Sequence, residues 1–399
     1  MTKRKLIVTS LMSILLLSTL IPIYSSGEED LVRAHKEFKT SIELMDSEQV
    51  FKRFTYDSGL EFTYPDAVRG IYVTGNSAGG SRFESLVDLV DETDLNAMVI
   101  DVKEDHGNIT FNLEEGSPFE SITKNYIEDP EAMMKILEEK EIYPIARIVV
   151  FKDTILANER PDLSFTKNGK VWENGGKESF VNPFEKEVWE YNVDIAKEAA
   201  KLGFQEIQFD YVRFPEGFET RDEELDYTLG DYGESEYDNV QRRVEAITDF
   251  VAYSREELSA YDVDVSVDIF GYAATIPETP GIGQNFSKIS ENVDVISSMI
   301  YPSHWTSQFG IDMPDKEPYR LVTEYAKVEN KLLDTLDNPP ISRPWIQDFE
   351  APWLYDGPVQ PYGKTEVEAQ IKALHENGID EYLIWNAGNT YTENVDYIP

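Results

Sequence analysis

The sequence predicts an α/β fold, a parallel (β/α)8 TIM barrel, on the basis of three observations. Eight short apolar runs recur after Asp66, and a helical pattern follows each of the first seven, which is typical of a parallel sheet. The strand-to-helix connections are long and the helix-to-strand connections are short, as expected when one face of a barrel is elaborated. The glycines between Gly75 and Gly80 lack the G-x-G-x-x-G spacing of a phosphate-binding loop, which disfavours the alternative of a doubly wound open sheet.

The strands are predicted from the apolar runs and from the alternation of polar and apolar residues within them. In the fourth strand this alternation places Gln208 and Asp210 on one face, and Pro215 stops the chain from continuing as a strand. In chain order the predicted strands are Val68–Thr74, Ala97–Lys103, Tyr143–Phe151, Glu206–Tyr211, Val263–Phe270, Val293–Tyr301, Arg343–Phe349 and Glu381–Trp385.

Helical patterns occupy the intervals between these strands. They are predicted over Arg82–Val90, Pro130–Glu139, Phe184–Leu202, Tyr237–Ala260, Asn285–Glu291, Glu317–Leu336 and Thr365–Asn377, of which the fifth is only a short helical turn. No helical pattern follows the eighth strand, so the eighth helix is missing from the prediction. We expect the lead-in segment before Tyr64 to cover the gap that this helix leaves.

The first residues are typical of a segment that directs a protein out of the cytoplasm. The basic segment Lys3–Lys5 is followed by the apolar run Leu6–Tyr24. A cleaved signal peptide and an uncleaved N-terminal membrane anchor both fit this pattern, and any membrane attachment is expected through this segment only. We therefore expect an extracellular or cell-envelope protein in three parts: a signal or anchor at 1–26, a polar lead-in or linker at 27–64 and a barrel at 65–399.

The composition excludes several classes of function. The formal net charge of −40 leaves few basic groups to neutralise phosphates, so we expect no nucleic-acid partner. The chain has no cysteine, which excludes disulfides, thiolate zinc sites and cysteine nucleophiles. Its four histidines are not spaced as a zinc-binding pair, and the motif His-Glu-x-x-His does not occur. We expect an acidic protein that uses no metal and no cofactor.

Polar side chains lie at or near the ends of seven predicted strands, where a barrel interior is normally filled by Val, Ile and Leu. Burying so many polar groups costs free energy unless they bind one another or a ligand. They therefore predict a site, formed by Asp101, Lys103, Arg147, Gln208, Asp210, Arg213, Ser266, Asp268, Ser298, Tyr301, Gln347, Asp348, Trp385 and Asn386. A structural ion pair is the alternative for Asp210 and Arg213.

The side chains in this predicted site suit the hydrolysis of glycosidic bonds. That chemistry needs one protonated carboxylic acid, one ionised carboxylate and an aromatic surface on which a sugar ring stacks. His304, beside Trp305, is predicted to contact a sugar hydroxyl group, and Trp385 is predicted to form the stacking surface. A structural histidine and a core tryptophan are the respective alternatives. Aromatic residues of the long loops, each of which could also anchor its own loop, are Trp172, Phe218, Tyr232, Trp305 and Trp353.

The chain also carries the motifs FDYVRFPEG, VDIFGYAAT, ISSMIYPSHW, RPWIQDF and LIWNAGNTY. Together these motifs resemble a glycoside hydrolase domain family of barrel proteins that bacteria export, over about Pro65 to Tyr391. The chain is more distantly similar to the α-amylase clan, and that resemblance implies a nucleophile at Asp210, a general acid at Asp268 and a stabilising carboxylate at Asp348. The chain departs from the clan in two ways: its fifth strand offers Asp rather than Glu, and Arg213 follows the nucleophile instead of preceding it.

These inferences predict an exported glycoside hydrolase that acts on a poly- or oligosaccharide. The fourth and fifth strands are neighbours, about 4.8 Å apart, so we expect Asp210 and Asp268 at the separation of retaining enzymes, about 5–5.5 Å. Because two close carboxyl groups do not both ionise readily, Asp268 is expected to keep its proton while Arg213 holds Asp210 ionised. The alternative is a non-catalytic carbohydrate-binding or envelope-associated barrel. A polysaccharide deacetylase is disfavoured because its histidine ligands are missing.

Overall fold

Eight parallel strands close into a barrel in the computed structural model, which describes residues 56–113 and 116–398. Each strand pairs in parallel with the next, and the eighth pairs with the first. The strands are β1 (Arg69–Val73), β2 (Ala97–Lys103), β3 (Tyr143–Val149), β4 (Glu206–Asp210), β5 (Asp264–Phe270), β6 (Val295–Met299), β7 (Trp345–Gln347) and β8 (Tyr382–Trp385). The predicted (β/α)8 barrel is confirmed, and each strand lies within the bounds expected from the sequence.

Helices separate the strands, as the sequence predicts. The α-helices of the described residues are Gly75–Ala78, Phe83–Asp91, Pro130–Glu139, Thr154–Glu159, Lys186–Leu202, Asn239–Leu258, Phe286–Ser290, Pro318–Leu333 and Lys364–His375. All seven predicted helical segments are among them. The helix Lys186–Leu202 ends at Gly203, whose φ of 107° is left-handed and favours glycine. This turn explains how β4 can begin only three residues later.

Short additional strands build up the face at the carboxyl ends of the barrel strands. Ile109–Phe111 pairs antiparallel with the end of β2, and Thr123–Ile127 pairs with it in parallel. Thr166–Lys167 and Lys170–Val171 form a hairpin in the connection after β3. The long strand-to-helix connections therefore carry structure of their own. At the opposite end of the barrel, Ile341–Ser342 pairs with β6 just before β7 begins.

Apolar side chains fill both sides of the sheet. A large outer layer packs between the strands and the helices. Inside the barrel lies a smaller cluster made of Val68, Tyr72, Ala97, Val99, Tyr143, Ile145, Tyr301, Trp345 and Leu383. Three rings of this inner cluster, those of Tyr72, Tyr301 and Trp345, lie at the carboxyl end of the barrel, so the interior is closed there by aromatic rather than aliphatic side chains.

The C-terminal segment lies against the outside of the barrel where an eighth helix would be expected. Tyr397 is buried, and its carbonyl oxygen accepts a hydrogen bond from Tyr382 Oη on β8 at 2.7 Å. The backbone amide of Asp396 donates to Glu368 on the last helix at 2.7 Å. Because this extended segment covers β8, the described residues need no eighth helix to complete the outer layer.

The described part of the lead-in runs elsewhere, past the amino ends of the strands. The backbone amide of Tyr56 donates to the carbonyl oxygen of Ala260 at 2.7 Å, just before β5. Tyr64 Oη donates to Glu381 at 2.9 Å, just before β8. Residues 56–64 therefore do not take the place of the eighth helix, and the rest of the lead-in, for which the same expectation was made, lies outside the described residues.

A buried ion network closes the barrel at this amino end. Arg343 Nη1 donates to both carboxylate oxygens of Glu206, at 2.8 and 2.7 Å, and its Nε donates to Glu381 at 2.8 Å. Its Nη2 donates to Tyr64 Oη at 2.8 Å. The side chains of Arg343 and Glu206 are both 0% exposed, so this guanidinium depends entirely on its protein partners.

Residues 1–55 lie outside the described part of the chain, and so do the predicted signal or anchor at 1–26 and most of the lead-in. Among the described residues, no helix combines the length and the apolar character that crossing a membrane requires.

Candidate active site

A cleft of about 580 Å³ opens at the carboxyl ends of the barrel strands. The ends of β3, β4, β5, β6 and β8 and the loops that follow them contribute to its walls. Eight of the residues predicted for the site line this cleft: Arg147, Asp210, Arg213, Asp268, Tyr301, His304, Trp305 and Trp385. The structure thus brings together both members of the predicted carboxylate pair and the predicted aromatic contacts.

Asp210 is the last residue of β4 and is held by Arg147 on the neighbouring strand β3. Arg147 Nε and Nη2 donate to Asp210 Oδ2 at 2.9 and 2.6 Å. The other oxygen, Oδ1, accepts from the backbone amide of Tyr211 at 2.6 Å. Hydrogen bonds between a guanidinium and a carboxylate are strong, so these contacts fix the orientation of Asp210.

Arg147 is shared with two further carboxylates. Its Nη1 donates to Asp101 Oδ1 at 2.7 Å, and its Nη2 lies 3.3 Å from Asp105 Oδ1. The Arg147 side chain is 1% exposed, so these carboxylates replace water as its partners. One buried guanidinium therefore connects the ends of β2, β3 and β4.

Arg213 lines the cleft but does not hydrogen-bond to Asp210. Its Nη1 donates to the carbonyl oxygen of Phe214 and its Nη2 to Glu216, both at 3.2 Å. Its guanidinium lies 4.7 Å from the ring centre of Tyr211 and 4.8 Å from that of Phe270. The expectation that Arg213 holds Asp210 ionised is not met, and neither is the alternative of an Asp210–Arg213 ion pair. Arg147 makes that contact instead.

Asp268 lies on β5 beside Asp210. Phe209 and Val267 are paired across the two strands, so Asp210 and Asp268 are the next residues in the same register. Asp268 Oδ1 accepts a hydrogen bond from Trp345 Nε1 at 2.7 Å. Burial raises the pKa of Asp268 well above its usual value and the negative charge of Asp210 raises it further, while the Trp345 hydrogen bond and Arg147 oppose the shift. The surroundings of Asp268 therefore favour its protonated form.

Trp385 forms part of an aromatic floor. Its ring stacks on that of Tyr72, with centroids 4.0 Å apart and an angle of 16° between the planes. The ring of Trp345 meets it edge-on at 5.5 Å, and that of Tyr301 lies 6.3 Å away. Trp385 is half-buried, so part of its ring faces the cleft and part belongs to the inner core. Both interpretations of this tryptophan thus have a structural basis.

Asp101 lies behind Arg147 rather than in the wall of the cleft. Its Oδ2 accepts from Tyr72 Oη at 2.6 Å, and Oδ1 is occupied by Arg147. Burial raises the pKa of Asp101 to about 6, although Arg147 and the Tyr72 hydrogen bond lower it. Asp101 therefore positions Arg147 and does not itself face a ligand.

Lys103 is directed away from the cleft by an irregularity in β2. Asp101 pairs with Arg147, but Lys103 pairs with Ile148, so the register shifts by one residue between them. This bulge turns Lys103 to the outer layer, where its Nζ lies 2.6 Å from Asp153 and donates to Asn192 at 3.0 Å. The structure does not place Lys103 in the site, contrary to the prediction.

Asp348 and Asn386 fasten the chain that follows β8. Asp348 Oδ1 accepts from Thr392 Oγ1 at 2.6 Å and its Oδ2 from the Thr392 amide at 2.8 Å. Asn386 Nδ2 donates to the carbonyl oxygens of Asp348 and Thr390, at 2.6 and 2.7 Å. Trp345 points into the barrel, so Asp348, three positions later, points outward. The structure therefore does not bring Asp348 or Asn386 to the cleft.

The two predicted glutamines are fully buried and bind protein groups. Gln208 Nε2 donates to Ser297 Oγ at 3.2 Å, one layer below Asp210 inside the barrel. Gln347 Nε2 donates to the carbonyl oxygen of Phe349 at 2.8 Å, and its Oε1 accepts from the Ser303 amide at 2.9 Å. Neither glutamine lines the cleft, although Gln347 holds the loop that carries His304.

Sequence reasoning did not select several residues that shape the site. A tyrosine or tryptophan within a strand is typical of a core, but Tyr72 donates a hydrogen bond to the buried carboxyl group of Asp101 and Trp345 donates one to that of Asp268. Asp105, Glu216 and Tyr272, in loops after strand ends, also line the cleft. Of these residues, only Trp345 could have been selected from the sequence, because the alternation within the seventh strand places it on the same inward face as Gln347.

Comparison with known proteins gives one family and several solved structures. A family model described as "Putative glycosyl hydrolase domain" matches residues 70–391. A hypothetical protein from Ruminiclostridium thermocellum is 32% identical over 50% of this chain and 96% of its own, with a TM-score of 0.43. The PgaB (BpsB) glycoside hydrolase domain from Bordetella bronchiseptica is 14% identical over 81% of this chain and 94% of its own, with a TM-score of 0.56.

The spore cortex-lytic enzyme SleL from Bacillus cereus is 10% identical over 83% of this chain and 73% of its own, with a TM-score of 0.48. No curated protein matches the chain. The Bordetella domain agrees with the barrel fold, and the family model covers most of the barrel.

Proposed function

The chain belongs to the putative glycosyl hydrolase domain family, and on that premise we propose that it cleaves glycosidic bonds of a poly- or oligosaccharide through Asp210 and Asp268, with retention of configuration. One observation carries this proposal: two carboxyl groups on neighbouring strands share a cleft, where Arg147 binds Asp210 while burial raises the pKa of Asp268. Retaining glycosidases use such a pair, an ionised nucleophile beside a protonated acid.

The reaction proceeds in two steps in this proposal. Asp268 donates its proton to the glycosidic oxygen as the bond from that oxygen to the anomeric carbon breaks, while an oxygen of Asp210 forms a bond to the same carbon. Asp268, now ionised, then takes a proton from a water molecule whose oxygen attacks the anomeric carbon and releases Asp210. The register of β4 and β5 supports a close pair, since adjacent parallel strands lie about 4.8 Å apart.

The remaining side chains of the cleft suit a sugar. The rings of Tyr301, Trp305 and Trp385 supply apolar surface, and sugar rings present C–H faces to such surfaces. Burial lowers the pKa of His304, although the charges of Glu216 and Asp315 oppose this, so the imidazole is neutral at pH 7 and can exchange hydrogen bonds with a hydroxyl group.

The test is hydrolysis of a panel of polysaccharides, with the anomer formed first identified by NMR. Wild-type protein releases sugar from one polymer with retained configuration, and Asp210→Asn does not. First release of the inverted anomer contradicts the retaining mechanism. Binding of a polymer without hydrolysis by wild type favours the non-catalytic alternative, a carbohydrate-binding barrel.

The activity should depend on pH through Asp268. Its raised pKa keeps it protonated at pH values where an ordinary aspartate is ionised, so kcat/KM is expected to fall as the pH rises through that pKa and the acid is lost. On an aryl glycoside whose leaving group needs the acid only in part, wild type should show this alkaline limb of the kcat/KM profile and Asp268→Ala should not. The same alkaline limb in the variant assigns the titration to another group.

Trp385→Ala tests the aromatic floor. We expect it to raise the Kd of an oligosaccharide substrate by about tenfold, because the sugar loses its stacking surface. The effect on the melting temperature should be minor compared with this loss of affinity. Trp385→Phe, which keeps a ring stacked on Tyr72, should restore most of the affinity. A large loss of stability with unchanged Kd assigns Trp385 to the core alone.

We propose further that the protein is exported by its first residues. The basic segment Lys3–Lys5 and the apolar run Leu6–Tyr24 support this proposal. Fractionation of the host should recover the protein from the medium or the cell envelope, and a variant that lacks residues 3–24 should stay in the cytosol. Recovery of the full-length protein from the cytosolic fraction contradicts export.

A further inference from the structure

Trp353 is the most exposed large apolar side chain in the described residues, at 62%. It lies in the short turn Pro352–Leu354, in the loop that follows β7. The cleft and this turn are both at the carboxyl end of the barrel. A single exposed apolar residue needs no special explanation, but the surroundings of Trp353 connect it to the cleft.

A series of rings leads from the cleft to Trp353. The ring of Tyr301, in the cleft wall, lies 5.3 Å from that of His304 and 6.0 Å from that of Phe349. Trp353 in turn lies 6.1 Å from His304 and stacks with Phe349 at 6.3 Å, with 27° between the planes. Trp353 therefore extends the aromatic surface of the cleft outward without a gap.

The loop does not need Trp353 as its anchor. Tyr355 Oη donates to the buried carboxylate of Asp315 at 2.6 Å, and Lys316 Nζ lies 5.3 Å from the Tyr355 ring. Ala351 at the other end of the turn is fully buried. The neighbours on both sides of Trp353 thus hold the turn, and most of the indole surface is left to solvent.

We infer that Trp353 is a further sugar-binding subsite, which rests on the proposed carbohydrate substrate. Its ligand is a sugar ring of the same polymer, several units from the bond that lies between Asp210 and Asp268. A polymer that follows the rings from Tyr301 past Phe349 reaches Trp353, and its C–H face covers the exposed indole. The substrate class is accordingly a polysaccharide or long oligosaccharide rather than a disaccharide.

The inference is tested by native gel electrophoresis through four polymers: amylose, a soluble β-glucan, glycol chitin and polygalacturonate. All variants carry Asp268→Ala so that the chains are not cut. At least one polymer should retard the parent, which carries Asp268→Ala alone. Addition of Trp353→Ala should raise the Kd of the protein for that polymer by about tenfold, whereas Trp353→Phe should retain most of the affinity. Tyr56→Ala, an aromatic substitution of similar exposure at the opposite end of the barrel, should match the parent.

Length dependence separates a remote subsite from a general loss of affinity. With oligosaccharides from the retarding polymer, the ratio of the Kd of Trp353→Ala to that of the parent should be about tenfold larger for six units than for two. Equal ratios at both lengths, or equal retardation of Trp353→Ala and the parent, overturn the subsite.

The outcomes also separate this inference from the proposed hydrolysis. Retardation that depends on Trp353, without hydrolysis of any polymer by protein with Asp268 intact, supports the subsite and contradicts the proposed reaction. Hydrolysis of an aryl glycoside without retardation by any of the four polymers overturns the subsite and leaves the reaction in place.

Discussion

Asp210→Ala is expected to be inactive on every substrate, whereas Asp268→Ala should keep activity on substrates whose leaving group needs no proton. Removal of a nucleophile from other enzymes costs on the order of 10⁴–10⁶-fold in kcat, and loss of a general acid about 10²–10⁴-fold. Asp210 forms the covalent bond in the proposed mechanism, and a good leaving group cannot replace it. Asp268 only supplies a proton, which a dinitrophenyl leaving group does not require.

Azide distinguishes the two roles further. The small anion can enter the space left by the Asp268 side chain and attack the glycosyl–enzyme, so it should accelerate Asp268→Ala on an activated aryl glycoside and yield a glycosyl azide. Azide should not enable Asp210→Ala to form a glycosyl azide of retained configuration. Both variants are compared with wild type by kcat on aryl glycosides of graded leaving-group pKa.

Asp348→Asn is the matched control for these variants. Asp348 is also a buried aspartate at a strand end, but it binds Thr392 outside the cleft. We expect its effect on kcat to be small. Wild-type turnover in both Asp210→Ala and Asp268→Ala contradicts the proposed mechanism, and a loss of kcat confined to Asp348→Asn restores the role that the α-amylase resemblance implied.

Arg343→Met is expected to destabilise the fold by about 3–5 kcal/mol, because it leaves a buried carboxylate without its partner. Glu206 is 0% exposed and receives two hydrogen bonds from Arg343, while Glu381 and Tyr64 lose theirs as well. The free energy of unfolding, measured by urea titration, gives the change. Arg320→Met is the control, since its ion pair with Glu317 is half-exposed and such pairs contribute about 0–1 kcal/mol.

A second substitution identifies the cause of the loss. In the Arg343→Met background, Glu206→Gln should recover part of the free energy of unfolding, because an amide is less costly to bury than an unpaired carboxylate. If Arg343→Met destabilises the protein no more than Arg320→Met does, the network at the amino end contributes little to stability.

The sequence was sufficient for the barrel because apolar runs and helical patterns alternate throughout it. The same periodicity located Asp210 and Asp268, since both lie at or near the carboxyl end of a strand in which polar and apolar residues alternate. It failed at Lys103 because a bulge in β2 shifts the register by one residue, and a bulge leaves no mark in the alternation. Asp348 was misplaced for a related reason: it follows the inward-facing Gln347 and therefore faces outward.

Partners across strands were harder to predict than strand ends. Arg213 lies three residues from Asp210 in the chain, whereas Arg147, its actual partner, is 63 residues away on β3. Proximity in sequence favoured Arg213, but adjacent strands place Arg147 beside Asp210. Tyr72 was missed because a strand tyrosine is typical of a core, and only the position of Asp101 opposite it shows that its hydroxyl has a polar partner.

The sharing of Arg147 has an electrostatic consequence. One guanidinium faces Asp101, Asp105 and Asp210, and Lys152, 3.5 Å from Asp105, adds a second positive charge, so the carboxylates of this cluster outnumber its cations by three to two. In glycoside hydrolysis the anomeric carbon acquires the positive charge of an oxocarbenium ion. In the proposed reaction, the carboxylates that Arg147 holds are fixed in place before a ligand arrives, and negative charge beside the anomeric carbon favours the transition state over the neutral ground state.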